Sequence, residues 1–287
     1  MARIDTLANF LTDVATAIKA KTGKTDPIIP ANFDTEIESI EASGSGDEEL
    51  VASYISSIDG SLGANCTKLP DGLTAIGANA FRELTNLKLN YLPDTIESVG
   101  AYAFGQDATM QLSKLPDALK TVGEYAFFNC SGIAADSLPE GITKIDKAAF
   151  YGCANFTASN IPNGLTTITE NSFAHSGVTF SIIPETVTTI ENYAFIFCPS
   201  ITSLTILSPS ITIGQDICNS CTNLERVVIP NVTTVPSIGI SPFFNTKIGQ
   251  EGCYIYVPDD LVDAFKAKTY WKDYADSIKP ISELPAE

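Results

Sequence analysis

Apolar residues return along this chain at a fixed long interval, and between those returns they alternate with polar ones. Leu69, Leu92, Leu115, Leu138 and Ile161 stand 23 residues apart, each before a proline, and Ile183-Pro184 follows after 22. Ile76, Val99, Val122, Ile145, Ile168 and Ile190 keep the same register, as do Phe81, Phe104, Phe127, Phe150, Phe173 and Phe195. Three ladders that share even the one-residue deletion describe a solenoid. A coil of this length cannot bury its own apolar face, so the next coil must cover it. Inside each coil, "NLKLN", "TMQLS", "NFTAS" and "GVTFS" alternate with period two and predict a strand, with Leu87 and Leu89 inward and Lys88 and Asn90 outward. The proline after each leading Leu or Ile lacks an amide hydrogen and suits the turn where a strand ends. "IGANAF" and "VGEYAF" have room for no more than a helical turn on the opposite side. Rungs about 4.8 Å apart then form one parallel sheet along a flank, and about nine of them give a rod on the order of 40 Å long.

The periodicity changes the reading of the cysteines. Seven are scattered over 287 residues, an odd number unlike a disulfide scaffold. Cys130, Cys153 and Cys198 each lie three residues after a ladder phenylalanine. "CNSC" at 218–221 has the look of a metal or redox motif, yet Cys218 falls 23 after Phe195 and Cys221 falls 23 after Cys198. Both belong to core columns, where free cysteine serves as a small buried hydrophobe. A zinc site also wants a second ligand pair, and the chain has a single histidine.

The consensus L-P-x-x-[LIV]-x-x-[IV]-x-x-x-[AS]-F-x-x-C resembles the BspA-type leucine-rich repeats, clearly over residues 69–206 and in degenerate form over 207–256. The resemblance implies an α/β repeat solenoid of stacked parallel strands and a binding role rather than catalysis. Members of that class serve as surface adhesins and as modules of phage proteins.

Both ends leave the repeat. Ile4, Leu7, Phe10, Leu11, Val14 and Ile18 recur at helical spacing, which predicts an amphipathic helix over 4–20 and, after the turn-rich "KTGKTDPIIP", a second one in "ANFDTEIESI". Residues 1–43 are thus expected to form a helical segment that anchors or oligomerises the chain. They resemble a short N-terminal segment of tail-fibre-like structural proteins of phages that infect Gram-positive bacteria. "EASGSGDEEL" holds a flexible linker at 44–50, the solenoid runs over 51–256, and 257–287 form a C-terminal cap. In that cap "YIYV" reads as a last strand, and Asp259 and Asp260 open a helix through about Lys268. Trp271, with Tyr270, Tyr274 and Ile278, is expected to cover the final apolar face.

Charge narrows the partners. With 17 basic against 34 acidic residues, the formal net charge of −17 repels phosphate backbones and anionic lipid, so nucleic acid is not an expected partner. No run of about 18 apolar residues predicts membrane insertion, and the N-terminus lacks the apolar core of a secretory signal. Chemistry is equally sparse. His175 stands where other coils carry Glu83, Gln106, Asn129, Gly152 and Phe197, a column of surface positions rather than catalytic ones. The acidic runs fall in the linker and at a helix start, and no glycine-rich phosphate loop is present. No catalytic residue, cofactor or metal is assigned.

What remains is the outward stripe of the expected sheet: Lys88, Asn90, Gln111, Ser113, Asp136, Thr157, Ser159, Thr179 and Ser181. Such a ladder can hydrogen-bond a glycan or an extended peptide, although serine and threonine also merely solvate a sheet, and no aromatic platform accompanies them. These features and the phage resemblance together predict a non-enzymatic, homo-oligomeric virion protein assembled in the host cytoplasm. Its N-terminal segment would hold other virion proteins, and its solenoid would meet a host cell-surface protein or glycan. The alternatives are a capsid or tail decoration protein and a bacterial surface adhesin.

Overall fold

The computed structural model describes residues 69, 73–82 and 87–286. The N-terminal segment, the linker and the start of the solenoid lie outside the described residues. Over the rest, the expected solenoid forms, with thirteen strands in three parallel sheets. The α content is smaller than an α/β label suggests: among the described residues the one α-helix, α1 (Val262–Ala267), is in the cap.

The regular two-residue strands do not sit where the alternating segments predict them. They fall on the Ile/Val ladder: β1 (Ala75–Ile76), β2 (Ser98–Val99), β3 (Thr121–Val122), β4 (Lys144–Ile145), β5 (Thr167–Ile168), β7 (Thr189–Ile190), β9 (Thr212–Ile213) and β11 (Ser237–Ile238). Thr–Ile and Thr–Val pairs suit this site because a β-branched residue packs well on a pleated, half-buried surface. The ladder is interrupted between β4 and β5, where the Thr169 hydroxyl rather than an amide donates to the Ile145 carbonyl at 2.9 Å.

The alternating segments make a true sheet only in the C-terminal half. There β6 (Ile182–Ile183), β8 (Ser203–Ile206), β10 (Arg226–Val228), β12 (Tyr254–Val257) and β13 (Ile278–Pro280) pair in the order β6-β8-β10-β12-β13. Earlier coils stay extended but share single bonds, such as Gln111 N–H to the Leu89 carbonyl at 3.0 Å and Ala134 N–H to that of Leu112 at 2.7 Å. Composition explains the difference. "SLTI", "RVV" and "YIYV" are rich in β-branched and aromatic residues, whereas "MQLS" and "IAADS" are not.

The third wall replaces the expected helical turn. Alternate residues of each turn send their N–H groups to carbonyls of the next coil: Tyr102 to Glu124 at 2.8 Å, Phe104 to Ala126 at 2.8 Å, Gln106 to Phe128 at 2.6 Å. The next coil repeats this, with Tyr125 to Lys147, Phe127 to Ala149 and Asn129 to Tyr151. Such one-way donation requires left-handed residues, found at Tyr102 (φ 57°), Gln106 (φ 69°), Tyr125 (φ 54°) and Asn129 (φ 57°), and four residues apart in later coils too. Each non-glycine residue held there costs about 1–2 kcal/mol, offset by an amide satisfied in the next coil.

Inside, the phenylalanine ladder stacks ring on ring, with centroids 5.1 Å apart from Phe81 to Phe104, 5.4 Å to Phe127, 5.3 Å to Phe150, 5.7 Å to Phe173 and 6.0 Å to Phe195. All are buried. Each contributes about 1.5–3 kcal/mol by leaving water. Pro93, Pro116, Pro139, Pro162 and Pro184 open the turns, each carbonyl accepting the N–H three residues on at 3.1 Å.

The cap is built as the sequence suggests, with two differences. Trp271 is fully buried and donates its indole N–H to the Pro236 carbonyl at 2.9 Å, while Phe265 meets its ring edge-on at 4.9 Å. The phenol oxygen of Tyr274 accepts from Phe243 N–H at 3.2 Å. Tyr270, however, turns outward with φ 65° and covers nothing in the core, because it forms the corner that swings Trp271 in. The chain then returns to the sheet as β13, which adds a rung beyond β12.

Coils approach closely at several glycines, Gly123 among them. A Cβ on Gly123 would lie 2.6 Å from the Ala101 nitrogen. Gly123→Ala is expected to lower stability by about 1–3 kcal/mol through backbone displacement, seen as a lower urea midpoint with an unchanged m-value.

Candidate binding face

The stripe residues lie where the alternation puts them: Lys88, Asn90, Gln111, Ser113, Asp136, Thr157, Ser159, Thr179 and Ser181 are all exposed, while Leu87, Leu89, Leu112, Phe156, Ala158 and Phe180 between them are buried. Their backbones are held from coil to coil, with Thr157 N–H on the Ala135 carbonyl at 3.0 Å, Ser159 N–H on that of Asp136 at 3.1 Å and Thr179 N–H on that of Ala158 at 2.9 Å. Three side chains are partly engaged, the first being Ser159, whose hydroxyl donates to the Asp136 carbonyl at 3.5 Å. The Thr179 hydroxyl donates to the Thr157 carbonyl at 3.2 Å, and the Asp136 carboxylate accepts from the Ser137 hydroxyl at 3.2 Å. The rest of the stripe keeps its polar groups toward solvent.

The same face continues past Ser181 onto the C-terminal sheet, and there its chemistry changes. Ile182 is 52 % exposed. Beyond it, Arg226 is paired in register with Ser203 and Tyr254, and the Lys279 ammonium stands 5.3 Å from the Tyr254 ring centre. Burial raises the Tyr256 phenol pKa above its ordinary value. The alternation in "YIYV" puts both tyrosines on the face opposite Ile255 and Val257, where Tyr254 is half-buried and Tyr256 is almost fully covered.

The turn wall carries an unforeseen feature. His175 is exposed at φ 55°, as a surface residue should be, but it belongs to a run of rings that climbs the outside of the solenoid. Tyr102 stacks on Tyr125 at 4.8 Å, Tyr125 meets Phe128 edge-on at 5.4 Å, and Phe128 stacks on Tyr151 at 5.0 Å. Tyr151 then lies 5.0 Å from His175, which stacks on Phe197 at 4.6 Å. Partial burial between rings lowers the His175 pKa. No single column spells this ladder, because it steps sideways between adjacent positions of the turn.

The six cysteines among the described residues are buried and unpaired, as expected for Cys130, Cys153, Cys198, Cys218 and Cys221. Most of that column is also polar in a specific way. Cys130 donates its S–H to the Phe104 carbonyl at 2.9 Å, Cys153 to Phe127 at 3.0 Å, Cys198 to Phe173 at 3.0 Å and Cys221 to Phe195 at 3.0 Å. Desolvation pushes the Cys130, Cys153, Cys198 and Cys218 thiols well above their usual range, so they stay neutral donors. Among the described residues no group of three or more His, Cys, Asp or Glu side chains could hold a metal ion.

Asp107 occupies this column one coil before Cys130. Its Oδ1 accepts from Thr109 N–H at 3.0 Å, the Thr109 hydroxyl at 2.8 Å and Met110 N–H at 3.2 Å, while Oδ2 is buried with no partner. Desolvation outweighs those donors and raises its pKa. A carboxyl whose folded pKa is raised stabilises the fold below its unfolded pKa, and that contribution is lost as pH rises through the folded value. Asp107→Asn is therefore expected to gain about 1–3 kcal/mol over the parent at pH 8 by removing a buried, half-satisfied charge. Urea titrations should show the gap closing toward pH 4.

Comparison with known proteins matches this sequence to a described family. The BspA type leucine-rich repeat region matches in six copies, over residues 61–179 and 143–260. No curated protein matches the chain. A leucine-rich repeat protein from Bacteroides ovatus is similar at 23 % identity over 66 % of this chain and 54 % of its own, with a TM-score of 0.46, so the chain spans about half of that protein's length. The T. pallidum leucine-rich repeat protein is similar at 22 % identity over 68 % of this chain and 83 % of its own, with a TM-score of 0.48. A leucine-rich cell surface protein from Faecalibacterium prausnitzii is similar at 18 % identity over 69 % and 75 %, with a TM-score of 0.36. The matched repeats span well over half of the sequence, and the chain belongs to the BspA-type leucine-rich repeat family.

Proposed function

We propose that this protein is a non-catalytic recognition scaffold that meets a host cell-surface protein or glycan through the outer face of its sheet. The observation that carries this reading is the division of labour within each coil. Ladder positions are consumed by the core, while Lys88, Asn90, Gln111, Ser113, Asp136, Thr157, Ser159, Thr179 and Ser181 vary freely at the surface on a backbone held from rung to rung. A rigid row of hydroxyl, amide and charged groups at one-coil spacing suits an extended polymer, because little conformational freedom is lost on binding. Tyr254 supplies, at the C-terminal end, the aromatic ring that the stripe itself lacks, and Arg226 and Lys279 add cations to that of Lys88.

In its finer form the proposal places the solenoid on a bacteriophage particle, as a tail-fibre, baseplate or head-fibre component. Residues 1–43 would there hold other virion proteins and bring copies of the chain together. This placement rests on the resemblance of that segment to phage tail-fibre-like proteins, and the segment lies outside the described residues. Family membership supports a surface-interaction role with or without a virion. The test is binding of full-length labelled protein to intact bacterial cells, comparing the parent with a variant carrying Lys88→Ala, Asn90→Ala, Gln111→Ala and Thr157→Ala. These exposed substitutions should leave the melting curve unchanged and weaken binding by about tenfold or more, the scale of losing several interface side chains. Equal binding by parent and variant would remove the stripe from the recognition face. Detection of the protein by mass spectrometry in purified phage particles tests the virion placement separately.

A further inference from the structure

The aromatic ladder on the turn wall ends differently at its two ends. At the N-terminal end the last ring, Tyr102, is covered by a cation: the Arg82 guanidinium carbon lies 4.8 Å from its centre. At the C-terminal end the last ring is Phe197, stacked on His175 on one side and 46 % exposed. The next coil offers only Ser220 at the corresponding position. One coil further on, Ile240 and Phe244 are 51 % and 62 % exposed. Half of the large apolar side chains that the described residues expose are therefore gathered on the turn wall of these last coils. Between them runs a polar band: Asn219 donates to the Asp216 carboxylate at 2.7 Å, Ser220 donates to the Asn219 amide oxygen at 2.9 Å, and Asn245 donates to Ser220 at 3.2 Å.

We propose that this end of the ladder, formed by Phe197, Ile240 and Phe244, is the docking surface for an arginine-bearing basic segment of a partner protein. The chain supplies the precedent itself, since a guanidinium already lies over the other terminal ring of the same ladder. Guanidinium groups favour an open aromatic face because its quadrupole attracts positive charge and their weak hydration makes desolvation tolerable. Charge complementarity selects the same occupant. The chain bears a formal net charge of −17, and Asp216 with its amide and hydroxyl neighbours sets acceptor oxygens one coil beyond the ring. Ile240 and Phe244 then cover the aliphatic stems or apolar neighbours of such a segment. Another copy of this acidic chain would bring like charge to the surface, which disfavours self-association there. The surface lies on a different wall from the outward stripe, so the two can fail independently.

The experiment titrates full-length protein with a blocked peptide of alternating arginine and leucine, and with the same peptide in which neutral citrulline replaces arginine. The substitution Phe197→Asn removes the ring and keeps the net charge. It puts at φ 56° a residue type that the equivalent position already carries as Asn129 at φ 57°, so the fold is preserved. The arginine peptide should bind the parent protein about tenfold more tightly than it binds the Phe197→Asn variant, and tighter than citrulline by at least as much, the scale of one desolvated cation–π contact. Equal binding to parent and variant would mean attraction by net charge alone and would overturn the proposal, as would equal binding of the citrulline peptide. Phe244→Ser gives a second reading of the same surface, with a several-fold loss expected. A dimer dispersed by Phe244→Ser, without peptide binding, would assign the surface to self-association instead.

Discussion

Every other feature of this structure depends on one constraint: the backbone groups on each coil's edge must be satisfied by the next coil at the same height. Three walls do this differently. The Ile/Val ladder uses short parallel pairings, the alternating segments use single bonds that become a sheet in the C-terminal half, and the turns donate N–H groups in one direction only. The last arrangement is the most demanding, because it holds non-glycine residues such as Tyr125 and Tyr193 at positive φ. It persists because an unsatisfied buried amide is about as unfavourable as the strained torsion that avoids it.

That constraint accounts for the composition of the core. Rings of one size stack at nearly the rung spacing, so the phenylalanine ladder runs through the interior ring on ring. The cysteine column does what a purely apolar residue cannot. Its thiols are small enough for the space and still donate to the carbonyls of the ladder phenylalanines, while burial keeps those of Cys130, Cys153 and Cys198 protonated. Ser176 serves in the same column by donating to the Phe173 carbonyl at 2.5 Å, whereas Asp107 leaves one carboxylate oxygen without a partner. The spacing of "CNSC" is thus a by-product of two core columns, not a chemical site.

With the interior committed to packing and backbone satisfaction, chemical variety is confined to the surface, where it divides between two walls. The sheet face presents polar groups and then, at its C-terminal end, Tyr254 with arginine and lysine. The turn wall presents edge-exposed rings. Ion pairs tie neighbouring coils, as in Lys120–Glu97 at 2.7 Å, Lys147–Glu170 at 3.1 Å and Lys247–Glu225 at 2.6 Å, and consume several of the few cations on an acidic chain. Being solvent-exposed, each adds little to stability. Their effect is to leave a strongly negative surface, which sets the sign of the partners it attracts.

By itself the sequence determined the repeat length, the inward columns, the burial of the cysteines and the exposure of the stripe. Each of these follows from which residues recur at one-coil spacing, because every coil must match its neighbours. The wall on which regular strands form was decided elsewhere. "NLKLN" and "TMQLS" alternate as strands do, but two-residue pairings were won by the β-branched Ile/Val ladder. The left-handed turns were hidden for a related reason: their positions mix asparagine with tyrosine and phenylalanine, which rarely adopt positive φ, and coil-to-coil hydrogen bonding holds them there. Only the tertiary structure could reveal the external ladder from Tyr102 to Phe197. It joins side chains from adjacent, non-equivalent positions of successive coils, and contacts between columns are set by the stacking geometry rather than by any period in the chain.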